Sequence, residues 1–201
     1  MTRWGAAALT TAGVLFFAGQ LIAQSAWTTP FSWADDNISD LGETTAPWHT
    51  LMNTVFVVNG VLVAVGAVTL QRGAARVLLL AAAVGCVLVG LAPADVAENP
   101  HVLGAALVFV LGNLGMIVSR SALPRWVPVL LGFVGLVATV LHVTRHGLGL
   151  GVGGMERVAV FPLFGWFLVD GLVRLVRSRP GAPEGTSGEP GRRSGVFNRS
   201  R

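Results

Sequence analysis

A chain of 201 residues that is 53% apolar and only 12% charged, with a mean hydropathy of +0.67, cannot bury its apolar surface in one water-soluble core. A soluble domain carries roughly 25% charge, so the expected solvent for most of this chain is lipid. Net charge is +4, all fourteen basic residues are Arg, and the single cysteine, Cys86, offers neither an intrachain disulfide nor a thiolate metal cluster.

Six runs are long and apolar enough to cross a bilayer, which takes about 20 residues each. They lie near 5–25, 48–70, 74–92, 101–118, 126–143 and 156–175. The predicted fold class is therefore all-α, a polytopic integral membrane bundle of six transmembrane helices occupying residues 1–176. Residues 177–201, rich in Gly, Pro, Ser and Arg without periodic apolar positions, are expected to form a disordered basic cytoplasmic tail. The favoured reading of its arginines is a topology anchor, with contact to anionic lipid headgroups as the alternative.

The first run, "MTRWGAAALTTAGVLFFAGQLIAQSA", has two readings. Arg3, an apolar stretch and small residues near Ala23 and Ser25 resemble a secretory signal, but the run exceeds a usual h-region of about 7–15 residues. A retained span is the favoured reading. Next comes "SWADDNISDLGETTAPWH", residues 32–49, with four carboxylates and no Lys or Arg. Asn37, Ser39 and Asp40 are short side chains that bond nearby backbone. Gly42 is expected to permit a tight reversal, so the segment can lie ordered against the membrane face. The Asn37-Ile38-Ser39 match to a glycosylation sequon carries almost no weight.

Arginine placement sets the expected orientation. Only Arg145 and Arg157 fall on one side of the six spans; the other twelve, from Arg3 to the tail, fall on the opposite side. Both termini are therefore expected in the cytoplasm. Asp35, Asp36, Asp40, Glu43, Asp95, Glu98 and Glu156 then fall on the extracytoplasmic side.

All three spans that run inward begin with polar residues: Asp40 and His49 before span two, Glu98 and His101 at span four, Glu156 and Arg157 at span six. Ionisable groups at membrane depth are costly and usually face a bundle interior or a water-filled cavity. His49 and Asn53 are four apart and share a helix face. His101, Gly104, Gly112 and Gly115 also fall on one face, where glycines let another helix approach closely. "PWHTLMNTVFVVNG" and "NPHVLGAALVFVLGN" echo one another faintly, in the manner of a duplicated hairpin. Two readings follow: a polar pocket opening outward, or residues that satisfy one another and fix helix packing.

His142 and His146 stand one turn apart at the end of span five. That spacing permits joint metal ligation if the helix continues, although Gly147 follows at once and no HExxH pattern accompanies it. "GLGVGG", 149–154, fits G-x-G-x-x-G without a preceding strand, so it is read as a flexible loop before span six. In "MERVAVFPLFGWFLVDGLVRL", Glu156 and Arg157 are adjacent and need different partners, Arg157 being placed to pair with Asp40 or a lipid phosphate. Asp170 and Arg174 have the i,i+4 spacing of a structural ion pair.

"NISDLG" after the first span, the "NPH" that opens a later one and "GGMERVAVFPLFGW" opening the last resemble the prokaryotic membrane proteins grouped as domain of unknown function 998. More distantly the chain is similar to the damage-regulated autophagy modulator and Sfk-like group. The likeness covers nearly everything but the tail. It implies a six-helix membrane fold, no established reaction, and Asn37, Ser39, Asp40, Gly42, His101, Glu156 and Arg157 as the positions that matter.

Together with His49, those residues make up the expected extracytoplasmic polar site. The expected function is a lipid- or isoprenoid-binding accessory protein of the cell membrane. A metal-dependent membrane hydrolase built on His142, His146, His101 and a carboxylate is the first alternative, and a small-molecule transporter the second. Membrane lipids and other membrane proteins are the expected partners; no nucleic acid and no cofactor is expected.

Overall fold

The structure, a computed structural model, describes residues 2–28 and 30–178. Among these are α1 (Thr2–Ser25), α2 (His49–Leu70), α3 (Gly73–Leu91), α4 (Glu98–Ala106), α5 (Asn113–Val118), α6 (Trp126–Val143) and α7 (Gly151–Arg177). A π-helical stretch, Leu107–Gly112, joins α4 and α5 into one span, and a short 3-10 turn, Ser39–Gly42, lies in the segment between α1 and α2. The described residues are all-helical, with no strand. Six helical segments are long and apolar enough to cross a membrane, the fourth running Glu98–Ile117 through the π-helical stretch. The chain is thus built as a multi-pass membrane protein. The expected tail lies outside the described residues beyond Ser178.

Two segment starts differ from the expected ones. The fourth begins at Glu98 rather than near 101, because a carboxylate is favoured in a first helical turn and Pro100 is tolerated there. The sixth begins at Gly151 rather than near 156. Of the glycine run 149–154 read as a flexible loop, residues 151–154 form the first turn of α7, and the Gly153 and Gly154 amides donate to the Ala34 carbonyl at 2.8 and 3.3 Å. At 27 residues, α7 is about 40 Å long at 1.5 Å per residue.

Apolar residues line both the inside and the outside of the bundle. Val77, Val84 and Leu91, seven apart along α3, are 66%, 60% and 69% exposed, and Phe133 and Val140 on α6 are 62% and 61% exposed. Such faces are unfavourable in water and neutral in lipid. Inside, Phe16 of α1 stacks on Phe164 of α7 with ring centroids 3.9 Å apart, among Leu9, Met52, Leu79 and Leu163. Because lipid tails are as apolar as these side chains, close backbone approach must help hold the helices together. A Cβ on Gly85 of α3 would lie 2.6 Å from the Gly104 carbonyl of α4, and one on Gly104 would lie 2.9 Å from the Gly85 carbonyl. Gly115, expected on the same face as Gly104, packs against Leu79 of α3, whereas Gly112, inside the π-helical stretch, lies mainly against Leu163 of α7.

The two ends of the bundle are held differently. At the arginine-rich end, fully buried Asp170 accepts from Arg174 Nε at 2.7 Å, from Ser121 Oγ at 2.7 Å and from the Ala122 amide. The expected i,i+4 pair is present, and it also ties down the turn between α5 and α6. Gln71 adds to this: its Oε1 accepts from the Arg120 amide at 2.8 Å. Gly85→Val is expected to push α3 from α4 and cost about 2 kcal/mol; thermal melting in detergent measures it, and an unchanged melting temperature contradicts the packing described.

Candidate functional site

At the other end, α7 carries the two groups that organise everything around them. Glu156 and Arg157 are each 5% exposed, and being adjacent they point to different neighbours. The Glu156 carboxylate accepts from the Ile38 amide. Arg157 Nη1 donates to the carbonyls of Asp36 at 2.8 Å, Gly153 at 2.8 Å and Trp33 at 3.2 Å. Its guanidinium carbon lies 5.4 Å from the Phe31 ring centroid and 5.2 Å from that of Trp33, within cation–π range. Nε and Nη2 have no hydrogen-bond partner among the described residues. Arg157 is therefore not paired with Asp40: the one ion pair among the described residues is Asp170–Arg174. The cation is spent on backbone carbonyls and aromatic faces, which turns residues 31–38 down onto the start of α7. Glycine at 151 and 153 makes this approach possible, since a Cβ at either would meet the Ala34 or Asp36 carbonyl.

Within the loop, Asp40, the second residue of the 3-10 turn, accepts from the Asn37 amide at 2.7 Å. Gly42 does not take the left-handed conformation expected of a reversal; it is glycine for space, because a Cβ there would strike the side-chain oxygen of Asn53. Asn53 Nδ2 in turn donates to the Gly42 carbonyl at 2.8 Å, while His49 Nδ1 bonds the Ala46 carbonyl at 2.8 Å. His49 and Asn53 share a face as expected, and both hold loop carbonyls. Thr44 donates its amide to Asp95 at 2.9 Å, and its hydroxyl to the same oxygen, joining this loop to the one between α3 and α4.

These loop carboxyls feel one another. Burial raises the Asp40 carboxyl above its ordinary value, against the Asn37 bonds that lower it. Partial burial, then the charges of Asp40 and Asp95, raise Glu43. The Thr44 hydroxyl lowers Asp95.

Beneath the loop is a chamber of about 40 Å³ between α1, α2, α3, the fourth span and α7. Its polar lining is Ser39, His101 and Glu156; Phe16, Phe56, Phe109 and Phe164 supply aromatic wall. Three of the expected site residues, from three separate parts of the chain, thus meet at one cavity. His101 Nδ1 lies 2.8 Å from the Ala92 carbonyl. A carbonyl only accepts, so Nδ1 is the donor in this bond.

The π-helical stretch lines the same chamber with Val108 and Phe109. Such insertions often sit at functional positions. Asn113 stabilises this one, its amide donating to the Phe109 carbonyl at 2.7 Å and the Ala159 carbonyl of α7 at 2.9 Å. Asn37, Asp40, Gly42 and His49 build the loop above without lining the chamber, and Arg157 clamps it from the side.

His142 and His146 do not come together. Helix α6 ends at Val143 and Arg145 turns left-handed with φ 57°, so the i,i+4 face is broken. His142 Nδ1 bonds the Val152 carbonyl at 3.0 Å, and His146 bonds Thr144 Oγ1 at 3.0 Å. Among the described residues no three His, Cys, Asp or Glu side chains are grouped so as to hold a metal ion. Reasoning from sequence missed Phe31, Trp33 and Ala34, whose aromatic rings and carbonyls receive Arg157 and the α7 amides. The cluster of aromatics immediately before the acidic segment was the available signal.

Arg157→Ala leaves the Trp33 and Asp36 carbonyls without their donor and opens the aromatic stack, at an expected cost of about 3 kcal/mol. Arg157→Lys recovers less than half of it, because one ammonium cannot reproduce the planar fork between two rings. Thermal melting, with limited proteolysis at residues 31–42 as the local readout, checks both; wild-type protection of the loop in Arg157→Ala contradicts the clamp.

Residues 10–173 match the family model described as "Protein of unknown function (DUF998)". No curated protein and no solved structure matches the chain. With most of its length covered, from within α1 to within α7, and with the loop, the chamber and the clamp all inside the matched stretch, the chain belongs to the DUF998 family.

Proposed function

We propose that this protein is a lipid- or isoprenoid-binding accessory protein of the cell membrane, that its acid-rich end is extracytoplasmic, and that the chamber under the 31–42 loop receives its ligand. The observation that carries this reading is the chamber's two-sided chemistry. Ser39, His101 and Glu156 supply its polar lining, and the rest is mainly aromatic and aliphatic carbon. An amphiphile satisfies both kinds of surface, whereas a purely polar or purely apolar solute satisfies one. At roughly 10–15 Å³ per water-sized position, about 40 Å³ accommodates a head and the first few carbons. The remainder of a long chain then stays among the lipid tails.

Sidedness supports the same reading. Arg72, Arg76, Arg120, Arg125, Arg174 and Arg177 flank spans at one end of the bundle, and Asp35, Asp36, Asp40, Glu43 and Asp95 lie at the other. Basic residues are retained on the cytoplasmic side during insertion.

Ala105, which lines the chamber, gives a means of filling it without touching a polar group. Purified wild-type protein is expected to carry an amphiphile close to one per chain. Ala105→Leu should lower that about tenfold, the equivalent of 1.4 kcal/mol of displaced binding, with the melting temperature preserved. Mass spectrometry of extracted lipids reads this; equal retention in the two proteins overturns the proposal. For orientation, a cysteine at Asp35 should react with an impermeant thiol reagent in intact cells, and one at Ala74 only after permeabilisation. The reverse pattern overturns the sidedness.

A further inference from the structure

We infer that the chamber selects a ligand whose head donates hydrogen bonds, a hydroxyl on an apolar chain, and discriminates against phosphate and other anionic heads. The inference rests on the amphiphile reading above and adds the chemical class of the head.

The polar groups facing the chamber are rich in acceptors. His101 lines the chamber with its Nδ1–H committed to the Ala92 carbonyl, which leaves Nε2 as its one ring nitrogen without that bond. A carboxylate has about four lone-pair sites on its two oxygens, and at Glu156 the Ile38 amide fills one of them. Ser39 adds a hydroxyl that donates or accepts. Unfilled acceptors in a largely apolar surrounding are unfavourable, and a donor on the ligand relieves them.

Positive charge, which an anionic head would require, is absent from the lining. Arg157 is the nearest guanidinium in sequence, yet it sits one position round the helix, clamped on three carbonyls beside Phe31 and Trp33, and it does not line the chamber. Glu156 has no salt-bridge partner among the described residues, since the one ion pair there is at the far end of α7. A phosphate placed here would lose its water and face a carboxylate with no cation between them, and burying an unpaired charge is strongly unfavourable. A hydroxyl carried on hydrocarbon matches each part of the lining, donating a hydrogen bond to Glu156 or Ser39 and laying its first carbons against the aromatic rings.

The test compares two probes of equal chain, decan-1-ol and decyl phosphate, binding to the purified full-length protein by native mass spectrometry. Wild type is expected to bind the alcohol at least about tenfold more tightly. Glu156→Gln keeps a side-chain oxygen for the Ile38 amide, so the loop stays down, and removes the charge; the preference should then narrow to about threefold or less. Decyl phosphate bound as tightly as decanol by wild type overturns the head-group inference and leaves the amphiphile reading standing. Binding of neither probe overturns both, and an unchanged preference in Glu156→Gln overturns the role given to the carboxylate.

Discussion

Everything in this bundle hangs on α7 and the buried ionisable groups at its two ends. Glu156 and Arg157 draw the 31–38 loop down at one end, and Asp170 with Arg174 draws down the α5–α6 turn at the other. Between them α7 packs against α1 through Phe16 and Phe164 and against α6. In a bilayer there is little hydrophobic force to bring one helix to another, so packing and the few polar bonds decide the arrangement. A buried charge with hydrogen-bond partners in a loop can hold that loop in one place; the same charge with none would be intolerable. That explains why the charged residues of α7 sit where connecting segments pass over it, and why glycine occupies the positions where those segments touch its backbone.

The chamber is a consequence of the same arrangement. Pulled down by Glu156, Ile38 and Ser39 roof over the space that α1, α2, α3, the fourth span and α7 leave between them. The π-helical stretch turns Val108 and Phe109 into its wall, and Asn113 ties the altered register to α7. One carboxylate thus serves two surfaces, with one oxygen toward the loop amide and spare lone pairs for the chamber. Arg157, next in the chain, is turned by helical geometry to a different neighbour, which separates the group that clamps the loop from the side from the group that lines the chamber.

Much of the candidate site was legible in advance because certain residue types are costly in lipid. Glu156, Arg157 and His101 stand out in an apolar chain for that reason, and Asp40 and Asn37 declare a turn by their local bonding. Arg157 was misassigned because a guanidinium suggests a carboxylate or phosphate, while this one donates to two carbonyls and lies against two rings of a loop more than a hundred residues away, with the Gly153 carbonyl of its own helix as third acceptor. His142 and His146 had the right spacing for a shared face, but the left-handed Arg145 ends the helix first.

By itself, then, the amino-acid sequence determined the six-helix membrane architecture, the segregation of arginine from carboxylate, and which few polar residues had to find partners. These follow from composition and short-range periodicity, which are properties of the chain alone. Only the tertiary structure decided who those partners are, that Ser39, His101 and Glu156 share one cavity while His49 and Arg157 stand outside it, and that Gly42 and Gly153 are glycine for room rather than for conformation. Those outcomes depend on how distant helices meet, and in a uniformly apolar background no local pattern encodes which faces come together.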